Sequence, residues 1–77
     1  MKAIVNVYLK KNILDPQGVT VQKALSSLGF GVSSLRIGKR FEIEVDSNDP
    51  QAVKKMLAEA SDKLLANPVI EDFEVIV

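Results

Sequence analysis

The 77-residue sequence contains no cysteine and no histidine. Without cysteine there are no disulfides, thiolate metal ligands or thiol nucleophiles, and a cytosolic protein is favoured. Without histidine the commonest general base and the commonest nitrogen ligand of metals are both missing. Only a lysine could then activate a serine, and no Ser-Lys motif is present. These absences disfavour an enzyme with an active site of its own.

The sequence also has no excess of charge of either sign, since ten basic side chains balance ten acidic ones. A neutral protein is not drawn to nucleic acid or to an anionic membrane. Aromatic residues make up only 5% of the chain, which leaves no platform for stacking RNA bases. Polar Asn6 and Tyr8 interrupt the apolar N-terminal segment, so it is typical of neither a signal peptide nor a membrane span. We expect a cytoplasmic protein with no nucleic-acid or membrane partner.

The length predicts one domain over residues 1–77. So short a chain buries only roughly 60% of the surface that its unfolded form exposes, and its stability is marginal unless something supplements the core. With disulfides excluded, oligomerisation is the remaining supplement.

Periodicity and capping residues predict the helices and strands. Along residues 3–9 the side chains alternate between two faces, as in a strand. One face carries Val5, Val7 and Leu9, and the other carries Ile4, Asn6 and Tyr8. Asp15 followed by Pro16 is a helix start, and Gly29 followed by Phe30 is a helix end of the Schellman type. The first helix therefore occupies the segment between these two signals.

The second half of the chain repeats the order of helix and strand. Asp49 followed by Pro50 starts a second helix, whose apolar stripe runs from Val53 to Leu64 and which ends at Asn67-Pro68. A final strand is predicted over residues 69–77, with Phe73, Val75 and Val77 on its inner face.

Residues 35–45 are compatible with two paths. Their odd positions except Lys39 are apolar and most even ones are charged, so the segment is extended. A hairpin with a three-residue turn over Gly38, Lys39 and Arg40 keeps the apolar residues on one face, and so does one long strand that bends at Gly38. We favour the hairpin.

The predicted order is β-α-β(β)-α-β, which indicates an α+β fold: a mainly antiparallel sheet with two helices on one face, in the ferredoxin-like manner. The uncovered face would carry Ile4, Tyr8 and Ile76 among charged residues, and such a mixed surface suits self-association through the sheet. The alternative is that these three are isolated surface residues.

Three groups of residues are candidates for other sites. The acidic residues Glu42, Glu44, Asp46 and Asp49 have the spacing of a solvated strand face and of turn and cap residues, which disfavours a metal site. The Gly29-Phe30-Gly31 segment closes a helix, whereas phosphate-binding loops open one. The third group is basic.

Arg36, Lys39 and Arg40 form a basic group near the predicted turn. One of them could meet a phosphate or an acidic patch on a partner, because exposed charges set register and encounter rate. The alternative is that they are solvated charges that protect strands from aggregation.

Several motifs, which span nearly the whole chain, strongly resemble the PurS family. The most specific are Leu14-Asp15-Pro16-Gln17-Gly18 and Arg36-Ile37-Gly38-Lys39, and the others are Leu9-Lys10-Lys11, Ala24-Leu25, Leu28-Gly29-Phe30 and Asn67-Pro68-Val69-Ile70-Glu71. Neither specific motif contains catalytic chemistry. Asp15 and Pro16 start a helix, and Gly18 permits close approach of another backbone.

The resemblance implies a small subunit of phosphoribosylformylglycinamidine synthase, an ATP- and glutamine-dependent ligase complex of purine biosynthesis. In that family the small subunit is a dimer, or a tetramer, that bridges a synthetase subunit and a glutaminase subunit and helps ammonia pass between them. ATP, Mg and glutamine are used by those partners, so this chain is expected to bind no cofactor and no metal and to work as an adaptor. The rival interpretations are a free-standing dimeric ligand-binding regulatory module and a small enzyme using Lys, Asp or Tyr in an intersubunit cleft.

Overall fold

The computed structural model describes residues 1–77. Its elements are β1 (Lys2–Leu9), α1 (Pro16–Ser27), β2 (Gly38–Glu44), α2 (Pro50–Ala60) and β3 (Glu71–Ile76), and a π-helical turn, Ser61–Leu65, extends α2. The three strands form one antiparallel sheet in the order β2-β1-β3. The predicted α+β class with an antiparallel sheet is therefore confirmed.

The core lies between the central strand and α2. Ala3, Val5 and Val7 project from one face of β1 and are buried against Val53 and Leu57 of α2. The odd-numbered apolar residues of β2 and β3 continue this face on both sides of β1. The strand parity predicted from the sequence is thus confirmed, and α2 is the helix that covers the sheet.

The second helix ends differently from the prediction. At its end the Ala66 amide donates to the Ser61 carbonyl at 2.8 Å, which is a five-residue spacing. One extra residue per turn rotates the apolar stripe, so Leu65 packs against the core while Leu64 is 82% exposed. The predicted stripe is therefore right for Val53 and Leu57 and wrong for Leu64 and for Met56, which also belongs to it and is 47% exposed.

The favoured hairpin over residues 35–45 is wrong. Only Gly38–Glu44 is a strand, and it pairs along its whole length with β1. Residues 35–37 cannot fold back on it, because the Ile37 amide and the Arg36 side chain are bonded to the segment before α1. The segment is therefore neither a hairpin nor one long strand.

The expectation that both helices cover the sheet is wrong for α1. Its helix end is as predicted: Gly29 has φ +92°, and the Phe30 amide donates to the Leu25 carbonyl at 3.0 Å. Gly18 is nevertheless its only buried residue, and the helix makes no extensive contact with any strand or with α2. The radius of gyration is 15.6 Å, against about 11 Å for a compact domain of this length.

Candidate functional site: an arm joined to the sheet by a clamp

The segment from residue 16 to residue 35, here called the arm, projects from the sheet and contains α1. Lys23 is its only charged residue. Its exposed apolar side chains include Val21, Leu28, which is 74% exposed, and Phe30. Such depletion of charge is typical of the centre of a protein interface and unusual for a solvated helix.

The two specific motifs meet at the base of this arm. The Asp15 carboxylate accepts a hydrogen bond from the Gly18 amide at 2.9 Å and another from the Ile37 amide at 2.8 Å. Residues 15 and 37 flank the arm on its two sides, so one side chain ties both ends of the arm together. The Asp15 carboxylate and these two amides are called the clamp below.

The electrostatics of the clamp favour the ionised carboxylate. The Ile37 and Gly18 amides and the nearby positive charge of Arg36 lower the pKa of Asp15 from its ordinary value of 3.8, although burial acts in the opposite direction. The residue is only 5% exposed. Both oxygens of Asp15 are therefore committed to structure, and the group is poorly suited to act as a base or a metal ligand.

The glycines of the two motifs allow the close packing at this junction. A Cβ atom on Gly18 would lie 2.4 Å from the Leu35 carbonyl oxygen, and one on Gly38 would lie 2.8 Å from the Val7 carbonyl oxygen. Neither backbone oxygen could give way without moving the chain. The predicted close approach at Gly18 is thus confirmed, and Leu35 supplies the approaching backbone.

Arg36 also serves the junction. Its guanidinium donates to the carbonyl oxygens of Lys10 at 3.0 Å and of Ile13 at 2.8 Å, which fixes the loop between β1 and α1. The sequence predicted Arg36 as an exposed residue that contacts a partner. The structure gives this side chain internal bonds, although it is still exposed.

The other two candidate contact residues lie on opposite faces of the sheet. Lys39 is opposite Val7 and therefore on the α2 side, while Arg40 is opposite Asn6 on the other side. Arg40 pairs with Glu42 at 3.1 Å, whereas Lys39 is exposed and forms no ion pair. The predicted compact basic group is therefore split, and Lys39 is its one uncommitted charge.

The uncovered face of the sheet carries the three residues predicted for self-association. Ile4 and Ile76 are direct neighbours across β1 and β3, and Tyr8 lies farther along β1. Tyr8 is 44% exposed and Ile76 is 48% exposed. Between them Asn6 donates to the Glu74 carboxylate at 2.9 Å. This face thus combines an apolar pair with a polar network.

The surface around the clamp has open depressions of about 160 to 430 Å³. The largest lies between the arm and Ile37 and is lined by Pro16, Gln17, Thr20 and Val21. Such shallow hollows suit a protein surface better than an enclosed small ligand.

The chain has neither a cluster of metal-ligating side chains nor a helix suited to span a membrane. No three acidic residues come close enough together to hold a metal ion, and Asp49 caps α2 by accepting from the Gln51 amide at 3.1 Å. Neither helix has the length and hydropathy that crossing a membrane requires.

Together the fold and the junction define a small three-stranded α+β domain with one covering helix and one projecting arm. The chain belongs to the PurS family, because the family model described as "PurS: Phosphoribosylformylglycinamidine (FGAM) synthase" matches residues 2–77. The resemblance of the chain to this family is thereby confirmed.

Individual proteins support the assignment. The chain is 47% identical over 75 residues to the phosphoribosylformylglycinamidine synthase subunit PurS of Mycobacterium leprae, covering 96% of this chain and 91% of that protein. The crystal structure of Methanocaldococcus jannaschii PurS, a subunit of formylglycinamide ribonucleotide amidotransferase, is similar with a TM-score of 0.87 and 44% identity, over 96% of this chain and 90% of that one.

A second similar structure comes from an assembly. A chain in the structure of PurLQS from Thermotoga maritima is 33% identical with a TM-score of 0.88, over 96% of this chain and 92% of that chain. The similarity therefore extends over almost the full length of both chains and includes the arm.

Proposed function

We propose that this chain is the PurS adaptor of a phosphoribosylformylglycinamidine synthase complex in purine biosynthesis and contributes no catalytic group to the reaction. The observation that carries the proposal is its likeness, over 96% of its length, to a chain in the PurLQS structure. The clamp agrees with it, because the most buried carboxylate of the chain is bonded to backbone amides.

In this function the chemistry belongs to the partners. The glutaminase subunit releases ammonia from glutamine, and the synthetase subunit uses ATP and Mg to make the amidine. The chain bridges the two subunits in the cytoplasm and supports the transfer of ammonia between them. A bridging protein needs exposed surfaces more than a pocket, and the charge-poor arm and the open sheet face are two such surfaces.

We propose Lys39 as the strongest single partner contact, followed by Arg40 and Arg36. Lys39 is exposed and unpaired, so an acidic group on a partner would gain a charge-assisted bond without breaking an internal one. Recruiting Arg40 would break its pair with Glu42, and recruiting Arg36 would release the loop carbonyls of Lys10 and Ile13.

We also propose that the chain forms a homodimer, or a tetramer, through the open face of the sheet. Ile4 and Ile76 supply the apolar centre, with Tyr8 beside them. Ile76→Glu is expected to shift the light-scattering mass of the purified chain toward the monomer. Leu64→Glu, at an exposed apolar position outside the sheet, is the control and is expected to leave the mass unchanged. A monomeric wild-type chain would contradict this part of the proposal.

Enzyme activity tests the adaptor function directly. Synthetase and glutaminase subunits are assayed with and without the chain, once with glutamine and once with ammonium chloride as the nitrogen source. We expect the chain to raise the glutamine-dependent rate at least tenfold and to leave the ammonia-dependent rate within about twofold. Equal stimulation of both rates would indicate an activator of the synthetase and would contradict a role in ammonia transfer.

Lys39→Ala is expected to weaken the glutamine-dependent stimulation, with Lys55→Ala on α2 as the matched exposed lysine. A chain that does not stimulate at all but binds amino acids or nucleotides on its own would favour the regulatory module.

A further inference from the structure

The arm is attached to the rest of the molecule at its base alone. Every backbone hydrogen bond made by residues 16–35 stays within the arm or ends at Asp15. The side chains of Gln22 and Ser26 also bond inside it, both to the Val32 carbonyl. The arm is therefore held together by its own hydrogen bonds and forms no backbone hydrogen bond with the sheet.

The clamp supplies a polar link across the base, beside the bonds from Arg36 to the Lys10 and Ile13 carbonyls. Asp15 lies before the arm and Ile37 after it. The 2.8 Å hydrogen bond from the Ile37 amide to the Asp15 carboxylate therefore joins the two ends of the arm. The second oxygen of Asp15 holds the Gly18 amide in the first turn of α1. A single carboxylate thereby fixes both the closure of the base and the position of the first helical turn.

The comparison with the other helix start shows that this arrangement exceeds what a helix cap needs. Asp49 also precedes a proline and accepts from a nearby amide, but its side chain accepts nothing from a distant strand. The bond to Ile37 spans 22 residues and contributes nothing to capping.

We propose that the clamp is a conformational latch. While it is closed it fixes the direction of the arm, and when it opens the arm moves as a unit while the sheet and α2 stay folded. Because the contact between α1 and the strands is small, the attachments at the base of the arm are the clamp and the two bonds from Arg36 to the carbonyls of Lys10 and Ile13. The proposal concerns this chain alone and does not depend on the adaptor function or on which protein covers the arm.

Distance measurements between spin labels test the latch. Because the chain has no cysteine, labels are placed on Ser27→Cys at the end of α1 and Asp62→Cys beyond α2, both exposed positions. Labelled chain is diluted with unlabelled chain, so that only distances within one molecule are measured. Three backgrounds are compared: the wild-type residues, Asp15→Asn and the control Asp49→Asn.

We expect Asp15→Asn to broaden the distance distribution at least twofold, because the amide nitrogen of asparagine cannot accept one of the two backbone hydrogen bonds. Asp49→Asn is expected to leave the width unchanged. Equal widths in all three backgrounds would overturn the proposal, since the arm would then be fixed by something other than the clamp.

Hydrogen exchange of the unsubstituted chain provides a test that needs no variant. If the latch opens while the sheet stays folded, the Ile37 amide, which the Asp15 carboxylate holds, exchanges at least tenfold faster, relative to its intrinsic rate, than the amides of Val5 and Val7 in β1. Asp15→Asn should widen this difference. Equal protection of Ile37 and of β1 would show that the clamp opens only in global unfolding, and the latch would be ruled out.

Discussion

The two helices of this protein begin with the same local signal. Asp15 and Asp49 each precede a proline, and each accepts a hydrogen bond from an amide of the first helical turn, that of Gly18 at 2.9 Å and that of Gln51 at 3.1 Å. In both cases the proline occupies a position where no amide is needed. The signal therefore determines where each helix starts.

The surroundings of the two helices differ. The second helix buries Val53 and Leu57 against the sheet, whereas the first buries only Gly18 and is joined to the molecule through Asp15 and Ile37. The comparison teaches that a capping signal fixes the start of a helix and leaves its packing open. One helix builds the core, and the other projects from the sheet with its apolar side chains exposed.

The largest expected effect comes from truncating the packed helix. Leu57→Ala removes a side chain that is 4% exposed and is expected to cost about 2–5 kcal/mol, a large share of the stability of a domain this small. Leu28→Ala on the arm is the matched change and is expected to cost below about 0.5 kcal/mol. Urea unfolding of both variants measures the difference, and similar costs would mean that the arm is packed as tightly as α2.

A smaller effect is expected from filling the space at the base of the arm. Gly18→Ala gains helix propensity of about 1 kcal/mol, but overpacking costs roughly 1–3 kcal/mol and the clashing Leu35 oxygen belongs to the backbone. We expect a net loss on the order of 1 kcal/mol. Gly31→Ala, where a Cβ meets nothing within 4 Å, is the control and should be neutral or slightly stabilising. A stabilising Gly18→Ala would show that the junction can relax.

The smallest effect is a pH dependence confined to acid solution. The Ile37 and Gly18 amides and Arg36 lower the pKa of Asp15 in the folded chain, so the unfolded chain takes up this proton at a higher pH. Stability from the clamp is then complete above the unfolded pKa of about 4 and is lost as the pH falls through the lower folded value. We expect the difference in urea midpoint between wild type and Asp15→Asn to be constant from about pH 7 to 5 and to shrink below about pH 4. A difference that does not change with pH would show that the charge of Asp15 is unimportant.

The sequence predicted well what depends on neighbouring residues. The caps at Asp15 and Asp49, the helix end at Gly29 and the alternation along β1 are all local patterns, and all are confirmed. The close approach at Gly18 was also predictable, because a glycine inside a helix costs stability unless something needs the space.

Features that depend on distant residues were not predictable in this way. The hydrogen bond from Ile37 to Asp15 joins residues 22 positions apart, and no periodicity signals it. Because the same bond holds Ile37 against the segment before α1, residues 35–37 cannot form the expected hairpin. The one sequence signal for the exposed arm is its lack of charge, with Lys23 alone between residues 16 and 35, and an apolar stripe looks the same whether it is buried or presented. The exposure of Leu64 depends in turn on a π-helical turn, whose hydrogen-bond pattern follows from packing.

The most direct test of the adaptor function is light scattering after size-exclusion chromatography, on the chain alone and then mixed with the synthetase and glutaminase subunits. ADP and glutamine are present in one set of runs and absent in the other. The account predicts a homo-oligomer that enters a complex containing all three proteins, and a weaker complex for Lys39→Ala than for Lys55→Ala. A monomer that joins neither subunit under any of these conditions would contradict it.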